Sequence, residues 1–210
     1  VPIEQVAEQI AMGPFGSNIK VSTFVDTGIP IISGQHLKGL LLEDNTYRYI
    51  TEEHATKLAR SNVFPGDIVF THAGTLGQVA LVPEESRFDR YIISQRQFYL
   101  RCDKTKVEPE YVVHFFKTRD GQHRLLANAN STGVPSISRP SSNLKALKMV
   151  LAPNADRRKF ASAVRPIHSR LMSNEQESNT LAELRDTLLP KLISGELRVP
   201  EAEEMVEASP

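Results

Sequence analysis

The stretch DRRKFASAVRPIHSRLMSNEQESNTLAELRDTLLPKLIS, Asp156–Ser194, decides the architecture. It holds no glycine, and its apolar residues return in steps of three and four: Phe160, Val164, Ile167, Leu171, then Leu181, Leu184, Leu188 and Leu192. Asn174 and Ser178 keep the same spacing in the middle, so the pattern is a coiled-coil-like seam with polar interruptions. At a rise of about 1.5 Å per residue, this helix would run about 55–60 Å. A compact neighbour cannot cover so long a stripe, and a partner helix is expected; folding back on its own domain is the alternative. Pro166 should kink the helix or mark its effective start, and Pro190 is a second disturbance. Gly195 is the stop signal. The tail 196–210, with Glu201, Glu203, Glu204 and Glu207, is acidic and expected to be flexible.

Upstream, residues 1–152 follow another regime, punctuated by Gly and Pro and rich in short Val, Ile, Phe and Tyr runs. Ile29–Ser33, Asp67–Thr71, Gln78–Val82 and Gln97–Arg101 read as strands. Gly74-Thr-Leu-Gly77 is a turn that makes the second and third of these a hairpin. Thr51–Arg60 reads as a helix with Thr51 as N-cap and acids in its first turn. Pro109–Lys117, running on towards Leu126, carries Val112, Phe115 and Phe116 at helical spacing. The fold class is therefore α+β: a twisted, mostly antiparallel sheet with short helices over 1–152, a long coiled-coil-like helix over 153–195, and the tail.

Formal net charge is zero, with 25 basic and 25 acidic side chains, so no strongly basic footprint marks the whole chain. Between Arg87 and Arg124, however, nine Lys or Arg face five Asp or Glu. The single Cys102 forms no internal disulfide and no basic, apolar leader pattern opens the chain, which points to the reducing cytoplasm. The apolar runs are strand-sized, so no membrane span is expected. The chain opens on Val1, as a processed product or a piece of a longer polypeptide would.

Catalytic signatures are missing. There is no phosphate-binding Gly-x-x-x-x-Gly-Lys-Ser/Thr loop, His-Glu-x-x-His, Cys-x-x-Cys or Gly-x-Ser-x-Gly. Histidines 36, 54, 72, 114, 123 and 168 show no ligand spacing, so no metal site is expected. No Lys follows an acid at two positions, as in many metal-dependent nucleases, and no Pro-Pro pair supplies an adenine-methyltransferase motif. The expectation is a non-enzyme.

What remains is a set of polar loops. Gly13-Pro-Phe-Gly-Ser17 leads to the donor pair Ser17 and Lys20, and Gln35, His36 and Lys38 cluster after Gly34. His72 and Thr75 flank the hairpin turn, Ser94-Gln95-Arg96-Gln97 is the densest donor cluster, and Ser131–Arg139 offers hydroxyls, Thr132 among them, beside Arg139. Gln and Arg can bond adenine and guanine edges in two places each, while hydroxyls and Lys suit phosphates. Each segment taken alone is equally readable as a surface turn. Arg96 could instead pair with Asp67, and Gly66, Gly74, Gly77 and Asp67 suit sheet turns better than base contacts.

These residues resemble a known family. The segments Gly13–Ser17, Ile29-Pro-Ile-Ile, Gly66–Thr71, Gly74–Gln78, Ser94–Gln97, Ser131–Ile137 and Leu184–Arg198, in this order, are similar to those of the specificity subunits of type I restriction-modification systems. The resemblance implies a target-recognition domain followed by a conserved spacer helix. Such subunits usually carry two recognition domains, each reading half of a split site in double-stranded DNA. Their helices pair antiparallel, fix the spacer and dock the methyltransferase subunits. S-adenosylmethionine, ATP and magnesium then belong to the methyltransferase and restriction subunits, and this chain needs no cofactor. Only one domain and one helix are present, so the chain is half of the usual subunit, either a fragment or a half-subunit that pairs with itself. In a self-pair, Asn174 and Ser178 would fix the register. The recognition region of a single-chain restriction-methyltransferase and a scaffold that reads no DNA are the competing readings.

Overall fold

A computed structural model describes residues 1–15, 18–44, 46–130 and 133–200. The strands expected from alternation are present: β2 (Ile29–Ile32), β5 (Ile68–Thr71), β6 (Val79–Leu81) and β8 (Gln97–Cys102). They are joined by β1 (Ala7–Met12), β3 (Arg48–Ile50), β4 (Asn62–Val63), β7 (Tyr91–Ile93), β9 (Ala129–Asn130) and β10 (Ser136–Ile137). The strands make two four-stranded sheets. One has the order β1-β8-β5-β6 and is antiparallel throughout. The other has the order β3-β2-β7-β4, antiparallel except for the parallel pair β2–β7. β9 and β10 form a separate ribbon.

The period of two along each strand builds the core. Val69 and Tyr99 of the first sheet meet Ile32, Tyr91 and Ile93 of the second in one buried cluster. Ile68, Phe70, Phe98 and Leu100, on the other face of the first sheet, are equally buried. Here α2 (Pro109–Lys117) lends Phe116, which meets Phe70 edge-on at 5.0 Å, and Phe70 stacks on Phe98 at 5.0 Å. Burial on both faces explains why β5 is a continuous apolar run. On the second sheet, Ile31, Ile50 and Ile92 pack with Ala55 of α1 (Glu52–Lys57), whose N-cap Thr51 accepts the His54 N–H at 3.2 Å as expected.

The helical run from Pro109 breaks at Thr118. This side chain accepts the Gly121 N–H at 3.1 Å and so caps a new helix, α3 (Arg119–Leu126). A further helix, α4 (Pro140–Ala146), follows the ribbon. Residues 1–3 pair with 147–149 through Ile3 N–H to Leu147 O and Met149 N–H to Val1 O, closing the domain.

The long helix α5 spans Asn154–Ser194, about 60 Å at 1.5 Å per residue. It begins before Pro166 and continues without interruption through both prolines. Two compact units are separable, Val1–Pro166 and Ile167–Pro210. The first therefore extends beyond residue 152 and takes in the opening turns of α5. Arg157, buried, donates to Glu108 Oε2 at 3.3 Å and Lys106 O at 2.7 Å, and Arg165 meets Glu110 Oε1 at 2.5 Å. Phe160 stands edge-on to His114 at 5.2 Å. Within the second unit, Ile167, Leu171, Leu181, Leu189 and Ile193 are exposed, Leu184 and Leu192 are half-buried, and Leu188 is buried. No described helix is long and apolar enough to cross a membrane.

Candidate nucleic-acid interface

Strand topology brings distant polar loops to one edge. Because β2 and β7 are parallel neighbours, their C-terminal ends deliver the loops 33–36 and 94–96 side by side, tied by Ser94 N–H to Ile32 O at 2.9 Å. β5 and β8 pair with Thr71 opposite Gln97, so the hairpin 72–77 rises at the same edge. His72 N–H donates to Arg96 O at 2.9 Å, and His72 Nε2 lies 3.0 Å from Gln95 O. The ribbon joins through Ile137 N–H to His72 O at 2.8 Å and Gly74 N–H to Pro135 O at 2.9 Å. Gln78 Nε2 donates to Gly34 O at 3.0 Å while its Oε1 accepts from Thr71 Oγ1 at 3.1 Å, clasping two loops. Gly13 completes the junction. Its N–H donates to Gln97 O at 2.8 Å, and a Cβ there would sit 2.0 Å from Ser94 O.

Between these loops lies a half-open cavity of about 370 Å³. Its apolar lining includes Pro14, Ile19, Phe24 and Ile31; its polar lining includes Ser33, Gln35, Arg48, Ser94, Gln95 and Arg96. None of its described lining residues is acidic. Gln35, Arg48, Gln95 and Arg96 are exposed. Such an array can donate to base edges or phosphates. Ser33 Oγ lies 3.4 Å from His36 Nδ1, which also accepts the Ser33 N–H, and no group of three or more His, Cys, Asp or Glu that could hold a metal ion occurs among the described residues.

The expected contact residues do not form one surface. Gln35, His36, Gln95 and Arg96 line the cavity together. Lys20, Lys38, Thr75 and Arg139 are exposed on the surrounding loops without lining it. Ser17 and Thr132 lie outside the described residues, as does the tail from Glu201 onward. Two of the expected readers are framework. Gln97, 1% exposed, bonds to Ser94 Oγ through its own Oε1. His36, also 1% exposed, stacks on Tyr47 at 4.4 Å and accepts the Ser33 N–H on Nδ1 at 3.0 Å. Burial holds the imidazoles of His36 and His72 below the ordinary histidine range. His72 is half-buried and serves mainly to tie the hairpin to the 94–96 turn.

The alternative pairing of Arg96 with Asp67 is not what the fold makes. Arg101 takes Asp67 instead, with Nε to Oδ1 at 2.8 Å and Nη2 to Oδ2 at 2.7 Å. Arg96 thus has no ion-pair partner among the described residues. Arg48 escaped the sequence reading: its guanidinium lies 5.1 Å over the Phe24 ring at the cavity wall. The one local signal was the alternation Tyr47-Arg48-Tyr49-Ile50, which placed an Arg on an outward strand position.

No family model matches the chain. A type I restriction enzyme MjaIX specificity subunit from Methanocaldococcus jannaschii is 22% identical over 191 residues, 85% of this chain and 40% of that protein. A type I restriction-modification S subunit from M. genitalium superposes with a TM-score of 0.63 at 17% identity, over 92% of this chain and 45% of that one. The HsdS subunit from Thermoanaerobacter tengcongensis gives 0.53 at 17% identity, over 94% and 45%. A structure addressing complex assembly and conformational transition of the type I restriction-modification system gives 0.55 at 17% identity, over 94% and 46%. The chain spans less than half the length of each of these relatives. In sequence and in fold, over most of its length, this chain is similar to the specificity subunits of type I restriction-modification systems.

Proposed function

We propose that this chain is a non-catalytic recognition module that reads one half of a split double-stranded DNA target and directs methyltransferase and restriction subunits to it. The observation that carries this reading is the cavity at one sheet edge, without an acid among its described lining residues, where the 33–36 loop, the start of β3 and the 94–96 loop present two guanidinium groups and two amides. The exposed apolar positions of α5, Ile167, Leu171 and Leu181, support a role for the helix in pairing with a second specificity half or a second copy. S-adenosylmethionine, ATP and magnesium would reside in the partner subunits.

The test is co-expression with the neighbouring methyltransferase subunit, co-purification, and genome-wide mapping of methylated adenines. A split motif, one half of which changes when residues 13–142 are exchanged for those of another subunit, is the expected result. A palindromic motif would mark self-pairing. A stable complex that leaves no sequence-specific methylation, with a methyltransferase active beside another specificity subunit, overturns the reading. For the helix pair, Asn174→Leu should change alignment or oligomeric state if Asn174 sets register; unchanged pairing removes that role. Ser178 already bonds to Asn174 O at 2.8 Å within its own helix.

A further inference from the structure

Arg48 differs from the other cations of the loop edge in being pre-positioned. A guanidinium over an aromatic face is held by its π-system, keeps its N–H edge free and loses little further freedom when it binds. Phe24 provides that face at 5.1 Å, and no ion pair competes for Arg48 among the described residues. Arg96 lines the same cavity. Gln35 adds an acceptor of fixed sense. Its Nε2 is committed to Thr46 O at 3.0 Å, so its Oε1 is the amide atom left for a ligand. Apolar Ile19, Ile31 and Pro14 back the site, so polar groups of a ligand seated there must find their partners in these side chains.

We propose that this cavity reads one G·C base pair, with Arg48 as a specificity-determining residue. A guanine presents two acceptors, O6 and N7, in the major groove, and its cytosine presents the N4 amino donor. Arg48, together with Arg96, supplies the donors for guanine, and Gln35 Oε1 accepts from cytosine. Phe24 is a positioning residue that acts through Arg48. A phosphate would be served by any mobile cation and needs neither an aromatic platform nor an oriented amide acceptor.

This inference rests on the DNA-reading function, and the experiment separates the two. Methylated adenines are mapped in cells carrying the methyltransferase subunit with wild-type chain, Arg48→Ala, Arg48→Lys or Phe24→Leu, and thermal melting of each purified complex confirms folding. The wild-type motif should contain a G·C pair in the half that this chain reads. Arg48→Ala and Arg48→Lys should both relax that one position, by about 5- to 150-fold in discrimination, and leave the others intact. Phe24→Leu should relax the same position by less. Arg48→Lys keeps the charge but loses the planar fork, so a Lys variant with the wild-type motif overturns the proposal. Uniform weakening at every position in Arg48→Ala overturns it in favour of a phosphate contact, and a half-motif without a G·C pair overturns it outright. In both cases the DNA-reading function stands. Absence of any wild-type motif removes that function and this inference together.

Discussion

Replacing Gly13 by alanine tests whether the opening motif is architecture or contact surface. Its Cβ would stand 2.0 Å from Ser94 O, about 1 Å inside any tolerable non-bonded approach. Both partners are backbone, so no rotamer relieves the clash. The strand end must move away from the turn, and the bond from Gly13 N–H to Gln97 O at 2.8 Å is the first to stretch. Overpacking of this kind costs about 1–3 kcal/mol and a lost hydrogen bond about 1 kcal/mol more, so about 2–4 kcal/mol in all. For a chain of this size that lowers Tm by about 5–15 °C. Because the displaced turn carries Gln95 and Arg96, sequence discrimination should fall further than stability does. Gly39→Ala is the matched control: its Cβ would meet nothing closer than 3.4 Å, and the expected change is within about 0.5 kcal/mol. The assay is a thermal melt of both variants with motif mapping in parallel. A Gly13→Ala protein that melts within a degree of wild type, with an unchanged motif, would refute the reasoning.

Other outcomes follow from the same geometry. Arg101→Ala leaves the Asp67 carboxylate, 2% exposed, buried without its fork, and should cost about 3–5 kcal/mol in urea unfolding; a cost below 1 kcal/mol would show that water reaches Asp67. Burial lowers the pKa values of His36, His72 and His114, so below about pH 6.5 the unfolded chain binds protons that the folded chain refuses. Stability is therefore full above that pH and declines as pH falls through the lowered values; a urea midpoint that is flat or rises from pH 7.5 to 5.5 contradicts this. Arg157→Ala strips Glu108 and Lys106 O of their donor at the start of α5. Proteolysis should then cut sooner between residues 150 and 166, and an unchanged cleavage rate would mean that the clasp is dispensable.

Where the sequence was legible, a local period or cap carried the information. β5 and β8 announce themselves by apolar density, Thr51 by its place before two acids, and α5 by steps of three and four. The break between α2 and α3 is set by one hydroxyl, that of Thr118, within an otherwise continuous helical run, so the pattern alone did not mark it. β3, β4 and β7, of two or three residues each, are too short to express alternation, and the parallel pairing of β2 with β7 joins residues 61 positions apart in the chain. The same division governs the site. The donor cluster Ser94–Gln97 was visible as chemistry, yet which member faces inward depends on where β8 begins: Gln97 is its first residue, opposite Thr71, and turns into the interior. Arg48 gains its significance only from Phe24, a contact that no local spacing encodes.

The loop edge consequently has two layers with different demands. Gly13, His36, Gln78 and Gln97 spend their hydrogen-bonding capacity on other protein groups and fix where the loops stand. Gln35, Arg48, Gln95 and Arg96 lie outside them, exposed, and among the described residues only Gln35 has part of its side chain committed by a hydrogen bond to the framework. Substitution in the inner layer moves the loops themselves, because Gly13 and Gln78 each tie two segments together while His36 and Gln97 hold the turns 33–36 and 94–97 closed. Substitution in the outer layer changes what is presented without disturbing where it is presented. A zero net charge fits this arrangement. Under the proposed DNA-reading function, with little long-range attraction to the phosphate backbone, discrimination would come from a few well-placed groups at short range, and a rigid inner frame is what would allow so few groups to suffice.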